Sequence, residues 1–220
     1  MEKIVFDNVL PQVFQNTADL VSDVWSNKLE FVKDKLYLVE AESGKGKSTF
    51  CSYILGYRND FTGEIRFDDT PTSTYTVSDW VAVRRVHIAH LFQELRLFPE
   101  LTAMENVQIK NTLTRTSSGN GHVSMAQVDE WFERLGIADK KESKIGLMSF
   151  GQQQRVAMIR ALSQPFDFLL VDEPISHLDD NNAQIMADIM MTEAHRQHAG
   201  VIVTSIGKHM QLPYDAVVKL

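Results

Sequence analysis

An apolar run over residues 36–39 leads into Ala41-Glu42-Ser43-Gly44-Lys45-Gly46-Lys47-Ser48-Thr49, and no other stretch constrains the fold as strongly. A buried strand, a glycine turn and a helix N-terminus in series aim backbone N–H groups at one point, which suits an anion. Gly44 and Gly46 permit the close turn, Lys47 can reach the β and γ phosphates of a nucleoside triphosphate, and Ser48 can ligate Mg²⁺. The full phosphate-loop pattern has a glycine six positions before the lysine. This chain has Ala41 there, which keeps the turn only where its φ is negative.

Strand-like and helix-like windows alternate along the rest of the chain, the mark of an α/β fold. Residues 64–67, 86–92, 166–171, 201–204 and 216–220 read as further strands, and 47–55, 152–163 and 180–198 as helices. Thr102 with Glu105, and Ser124 with Gln127, read as the caps of two more helices, 102–112 and one ending near Leu135 before Gly136. Ile185, Met186, Ile189 and Met190 share an apolar face of helix 180–198. Residues 113–124 are rich in Ser, Thr, Gly and Asn and read as an exposed loop. Trp25, Trp80 and Trp131 are expected in the core or at its margin, and Cys51 as a buried small apolar residue. The seven histidines show no metal-ligand spacing.

Bulk properties exclude some classes. With 220 residues, 44% of them hydrophobic, the chain can bury the core of one domain. A net charge of -7 lacks the basic footprint of a nucleic-acid binder. A single cysteine makes no internal disulfide, which points to a reducing compartment. No apolar stretch approaches the roughly 20 residues that span a bilayer, and the first residues lack the apolar core of a signal peptide. Any membrane role is therefore expected through a separate subunit.

Two further segments follow the phosphate loop in order. Met148-Ser149-Phe150-Gly151-Gln152-Gln153-Gln154-Arg155 is polar and opens a helix. Phe168-Leu169-Leu170-Val171-Asp172-Glu173 is an apolar strand ending in two acids. Such a strand delivers carboxylates to the C-terminal edge of a parallel sheet, where ligands bind. Asp172 is expected to hold Mg²⁺ through water, and Glu173 to polarise the attacking water as general base. Together with residues 91–102 (LFQELRLFPELT) these motifs resemble the nucleotide-binding domain of ATP-binding-cassette (ABC) proteins over nearly the whole chain. The resemblance is nearest to the small ATPases of the lipoprotein-release, macrolide-export and cell-division type.

The resemblance implies a P-loop α/β domain with an N-terminal antiparallel β portion and an inserted helical subdomain. The core would be 1–94 and 151–220, and the insert 95–150. It implies ATP and Mg²⁺ as cofactors. Phe14, Ser43, Gly44, Lys45, Gly46, Lys47, Ser48 and Thr49 would bind the nucleotide in one copy. Ser149, Gly151, Gln152 and Asp179 would cap it from the other copy. Ser48, Gln93 and Asp172 would serve the metal, and Glu173, Lys47, Gln93 and Ser205 the reaction. Phe14 lies 33 positions before Lys47, where the family stacks an aromatic on adenine; a core phenylalanine fits nearly as well. Phe150 replaces a family glycine and either narrows the partner's approach or points away. Ser176-His177-Leu178-Asp179 matches the family's D-loop, with His177 at its variable position as a solvated residue. The family histidine after the last core strand is missing. Its place falls on Ser205 or Ile206, and His209 comes three or four residues late. Ser205 is the preferred substitute because it needs no rearrangement; His209 on a longer loop is the alternative.

The implied function is an ATP-hydrolysing subunit of a transporter or related membrane complex, slow in isolation. Two copies would sandwich two ATP molecules and pull on integral permease subunits. The chain would then sit at the cytoplasmic face of the cell membrane, touching it only through the permease, with no nucleic-acid partner. A regulatory ATP-binding protein with weak hydrolysis is a second reading, favoured by Ala41, Phe150 and the missing histidine. A soluble ABC protein outside transport is a third; such proteins usually carry coiled-coil arms or two cassettes.

Overall fold

The computed structural model describes residues 1–17, 20–42, 44–114, 121–175, 178–207 and 209–220. Along the chain run β1 (Lys3–Pro11), β2 (Lys28–Val32), β3 (Leu36–Glu40), α1 (Lys47–Ile54), β4 (Phe61–Phe67) and β5 (Thr70–Pro71). Next come α2 (Val77–Ala82), β6 (Ile88–Leu91), α3 (Ala103–Leu113), α4 (Met125–Arg134) and α5 (Phe150–Leu162). The chain closes with β7 (Phe168–Asp172), α6 (Asp180–Arg196), β8 (Gly200–Ser205) and β9 (Ala216–Lys219).

The strands form two sheets. An antiparallel sheet has the order β2-β1-β4-β5, and a parallel one the order β6-β7-β8-β3-β9. Side chains alternate across a strand, so Leu36 and Leu38 of β3 enter one core while Tyr37 and Val39 enter another. Every residue of β7 and β8 is buried, as expected of central parallel strands covered on both faces. On one face lie α5 and α6, with Ile159, Leu162, Met186, Ile189 and Met190. On the other lie α1 and the antiparallel sheet, joined by an aromatic cluster in which Phe6 and Phe50 stack at 5.2 Å. Helices α3 and α4 fall between β6 and α5, and both pack on α5. Among the described residues no helix is long and apolar enough to cross a membrane.

Several windows shift. The strand expected over 86–92 shrinks to Ile88–Leu91, because Val83–His87 prolong α2 as a π-helical turn. Helix α2 itself was not legible in the hydrophobic pattern; its start is a capping box of Thr76 and Asp79. The helix expected from 152 begins at Phe150, since Ser149 caps it. The helix expected to reach 198 ends at Arg196, the strand expected from 64 begins at Phe61, and the one over 166–171 becomes Phe168–Asp172. Residues 115–120 of the polar loop lie outside the described residues, as do Ser43, Ser176 and His177. Trp25 and Trp131 are buried, and Trp80 packs at the margin of the aromatic core.

Candidate active site

In a parallel sheet the C-terminal ends of all strands meet at one edge. Here β3 delivers the phosphate loop to that edge, β7 delivers Asp172 and Glu173, β8 delivers Ser205, and β6 leads to Gln93. The order β6-β7-β8-β3 sets these four ends side by side.

The phosphate loop turns through Gly44 at φ 81° and Gly46 at φ 97°, a region costly for side-chain-bearing residues. A Cβ on Gly46 would lie 2.8 Å from Cε2 of Phe14. Ala41 is not left-handed, so it meets the condition the turn sets. Its N–H donates to the Ser205 carbonyl at 3.0 Å, which joins the start of the loop to the end of β8. Phe14, half-buried, rests against Trp25 and the Gly46 turn, so one ring serves the core margin and overlooks the loop. The Lys45 carbonyl accepts from Trp25 Nε1 at 3.3 Å.

Lys47 is buried at the first turn of α1. Its ammonium contacts a Glu173 carboxylate oxygen and lies 3.5 Å from Asp172 Oδ1. The cation thus sits between the two acids that close β7. Thr204, in register with Asp172, donates its hydroxyl to Asp172 Oδ1 at 2.5 Å. Glu173 is left-handed at φ 48°, a conformation that surrounding contacts must hold for a residue with a side chain. Its N–H donates to the Thr204 carbonyl at 3.1 Å. Gln154 of α5 donates to the Pro174 carbonyl at 2.6 Å and to that of Glu173 at 3.4 Å.

Ser48, Gln93 and Asp172 line one cavity of about 80 Å³. A hydroxyl, an amide and a carboxylate suit a hard cation such as Mg²⁺, which takes oxygen donors and keeps several waters. The left-handed glycines and the start of α1 form a phosphate cradle beside it. The residues present therefore fit a Mg²⁺–nucleotide. Cys51 and His90 line the same cavity. Burial, with the nearby charge of Asp172, pushes the Cys51 thiol well up. Burial, with Arg96, pulls His90 down to about 3 and keeps the ring neutral. Thr49 is turned elsewhere: its hydroxyl accepts from Arg58 at 3.0 Å.

The remaining predicted residues form a second group. Ser149 caps α5 in a box with Gln152: the Gln152 N–H donates to the Ser149 hydroxyl, and the Ser149 N–H donates to Gln152 Oε1 at 3.0 Å. Arg155 donates to the Gly151 carbonyl at 3.1 Å and to Asn182 Oδ1 at 3.0 Å. Asn182 donates through its backbone and its amide to the carboxylate of Asp179, the cap of α6. These hydrogen bonds hold Asp179 below the usual carboxylate range. One network therefore ties Gly151 to Asp179. Beside it Leu147 is 84% exposed and Phe150 42% exposed, so Phe150 stands out from the helix start. Ser205 is buried at the end of β8, and Ile206 is exposed. His209 packs edge-on against Tyr214 and lies 3.9 Å from Glu40.

Thr204 and Asn182 help organise the site, yet no motif announced them. Thr204 reaches Asp172 across the sheet, and Asn182 joins Asp179 to Arg155 of another helix, so strand register and helix packing reveal them.

The family described as ABC transporter matches residues 27–176. The chain is 29% identical over 204 residues to the lipoprotein-releasing system ATP-binding protein LolD of Novosphingobium aromaticivorans, covering 93% of this chain and 88% of that protein. It is 30% identical over 179 residues to the macrolide export ATP-binding/permease protein MacB of Pasteurella multocida, covering 81% of this chain but only 27% of MacB. Among solved structures, the dimeric ABC transporter cassette MJ0796 superposes with a TM-score of 0.75 at 25% identity, covering 91% of this chain and 87% of that one. A second structure of MJ0796 is a dimeric post-hydrolysis state bound to ADP and Pi, with a TM-score of 0.73 at 25% identity, covering 92% of this chain and 87% of that one.

Proposed function

This chain belongs to the ABC transporter family as an ATP-binding domain, and from that premise we propose that it hydrolyses ATP between two copies of itself to drive integral membrane permease subunits. The observation that carries this reading is the convergence of Lys47, Asp172 and Glu173 where α1 meets the end of β7. A bound Mg²⁺ would supply neutralisation of the phosphate charge. Ser48, Gln93 and Asp172 would hold it. Lys47 would leave its carboxylate partners for the β and γ phosphates, and Glu173, so released, would take the proton of the attacking water. The backbone N–H groups of residues 43–49 would cradle the phosphates, and Phe14 would meet the base.

In this reading 1–94 and 151–220 form the catalytic core, and 95–150 an inserted helical arm. Ser149, Gly151, Gln152 and Asp179 face the ATP of the partner copy, and the exposed Leu147 and Phe150 flank that face. The dimeric MJ0796 structures support this arrangement. The names of LolD and MacB support export or lipoprotein release through a membrane subunit. That subunit would hold the chain at the cytoplasmic face of the membrane. The absence of histidine at Ser205 and Ile206 favours slow turnover, and with it a second reading as a regulatory ATP-binding protein.

Glu173→Gln keeps the side chain's size and removes the base. With Mg-ATP this variant is expected to bind nucleotide, stall, and accumulate as a dimer by light scattering. A Glu173→Gln protein that binds Mg-ATP and stays monomeric would overturn the sandwich. Turnover equal to the parent's would overturn the role of Glu173.

A further inference from the structure

Cys51 lies one helical turn beyond Lys47 on α1, His90 lies on β6, and Asp172 ends β7. Three separate elements bring these side chains into the cavity that Ser48 and Gln93 also line. A ligand atom from each of Cys51, His90 and Asp172 lies within 4.8 Å of the other two. Both ring nitrogens of His90 are sealed from solvent, and among the described residues neither has a hydrogen-bond partner. A buried polar group left unpaired destabilises a fold, so an imidazole with two such atoms calls for a ligand. Phe92 closes one side of the ring at 4.0 Å.

We propose that Cys51, His90 and Asp172 form a zinc site behind the magnesium position, sharing Asp172 with it. The donor set decides the metal. Thiolate, imidazole and carboxylate are zinc ligands, whereas Mg²⁺ takes oxygen alone. Tetrahedral bonds of about 2.0–2.3 Å put ligand atoms roughly 3.3–3.8 Å apart, so small side-chain rotations close the present spacing. On binding, the Cys51 S–H bond breaks, a sulfur–zinc bond forms, and the proton passes to buffer. His90 enters as a neutral ring. The fourth position stays open to water. Zinc then meets two negative ligands, while Glu173 still pairs Lys47. The site stands on the donor geometry alone. Its consequence rests on the proposed function: zinc occupies Asp172 and so opposes Mg²⁺-dependent turnover.

The test titrates zinc chloride into the nucleotide-free full chain by calorimetry, in two buffers of different ionisation enthalpy. One zinc per chain and about one released proton are expected. Cys51→Ser and His90→Gln should each weaken binding at least tenfold, and circular dichroism shows whether each variant is folded. Cobalt in place of zinc should give a thiolate-to-cobalt absorption that Cys51→Ser loses. Zinc affinity unchanged in both variants, or cobalt binding without the thiolate band, overturns the site. In steady-state assays zinc should inhibit the parent's Mg-ATP turnover and spare Cys51→Ser. Inhibition equal in both proteins overturns the shared Asp172. A chain that binds zinc through these residues yet does not bind Mg-ATP upholds the site and sinks the functional reading instead.

Discussion

Single atoms decide the chemistry at the edge of the sheet. The histidine that the resemblance implies after β8 is replaced in the sequence by Ser205 and Ile206, and this sets the residue-scale prediction. A preorganised donor to a developing charge is worth roughly 10²–10³ in rate. Ser205 ends β8 beside the phosphate loop, bonded through its carbonyl to Ala41, and its hydroxyl can donate to a phosphate oxygen. His209 instead faces Tyr214 and Glu40. Ser205→Ala is therefore expected to lower ATP turnover on the order of tenfold or more, while His209→Ala leaves it near the parent's. Ile206, exposed, has room for a larger ring, so Ile206→His should raise turnover. A collapse in His209→Ala with ATP binding intact would show that the loop carries its histidine late.

At the scale of elements, the start of α5 has two duties that can be separated. Ser149 satisfies the helix's own N–H groups, and in the proposed dimer it also faces the partner's phosphate. Aspartate caps a helix as well as serine does, whereas alanine costs about 1 kcal/mol. Ser149→Asp should thus keep the chain's stability within roughly 0.5 kcal/mol of the parent by urea unfolding. It should also abolish dimer formation in the Glu173→Gln background, because a carboxylate repels the phosphate. A Ser149→Asp chain that still dimerises with Mg-ATP would remove α5 from the interface. A related coupling holds the segment after β6. Leu95 and Arg96 are both left-handed, and Arg160 of α5 donates to both of their carbonyls. Helix α5 therefore sets the shape of the chain that follows Gln93 as well as carrying Gly151 and Gln152.

At the scale of the whole molecule, stability and function occupy opposite edges of the parallel sheet. Asp167 precedes β7 at the edge away from the phosphate loop. It accepts from Lys33 at 2.9 Å and pairs with His87 Nδ1 at 2.6 Å, which ties the β2–β3 turn and the start of β6 to β7. Burial alone would raise its pKa, but hydrogen bonds from His87 and Lys33 outweigh that and lower it. A depressed carboxylate pKa contributes stability above the unfolded value, about 4, and loses it as pH falls through the lower folded value. Asp167→Asn should therefore cost about 1.5–3 kcal/mol near pH 7, the range of hydrogen bonds to charged groups. The difference from the parent should fade in acid below pH 4. Urea unfolding across pH measures both, and Mg-ATP affinity should not move. A penalty that persists undiminished in acid would show that the charge of Asp167 is not its source.

Local physics made part of this protein legible from residues alone. Glycine turns, capping boxes and apolar runs act over a few positions, so the phosphate loop, the cap of α3 and the carboxylates ending β7 could be read directly. Their order in the chain carried the α/β reading. Hydrophobic pattern did not show the π turn that shortens β6, nor the helix over Val77–Ala82, which buries none of its residues and so has no apolar stripe to read. Strand order is also non-local: β8 lies between β7 and β3, and only those two pairings put the Thr204 hydroxyl on Asp172 and the Ser205 carbonyl on Ala41. The same holds most strongly for Cys51, His90 and Asp172. Their spacing along the chain matches no metal motif, since separations of 39 and 82 residues (90 − 51 and 172 − 90) carry no helical or turn periodicity. A helix and two neighbouring strands converge at one sheet edge, and that convergence makes them a site.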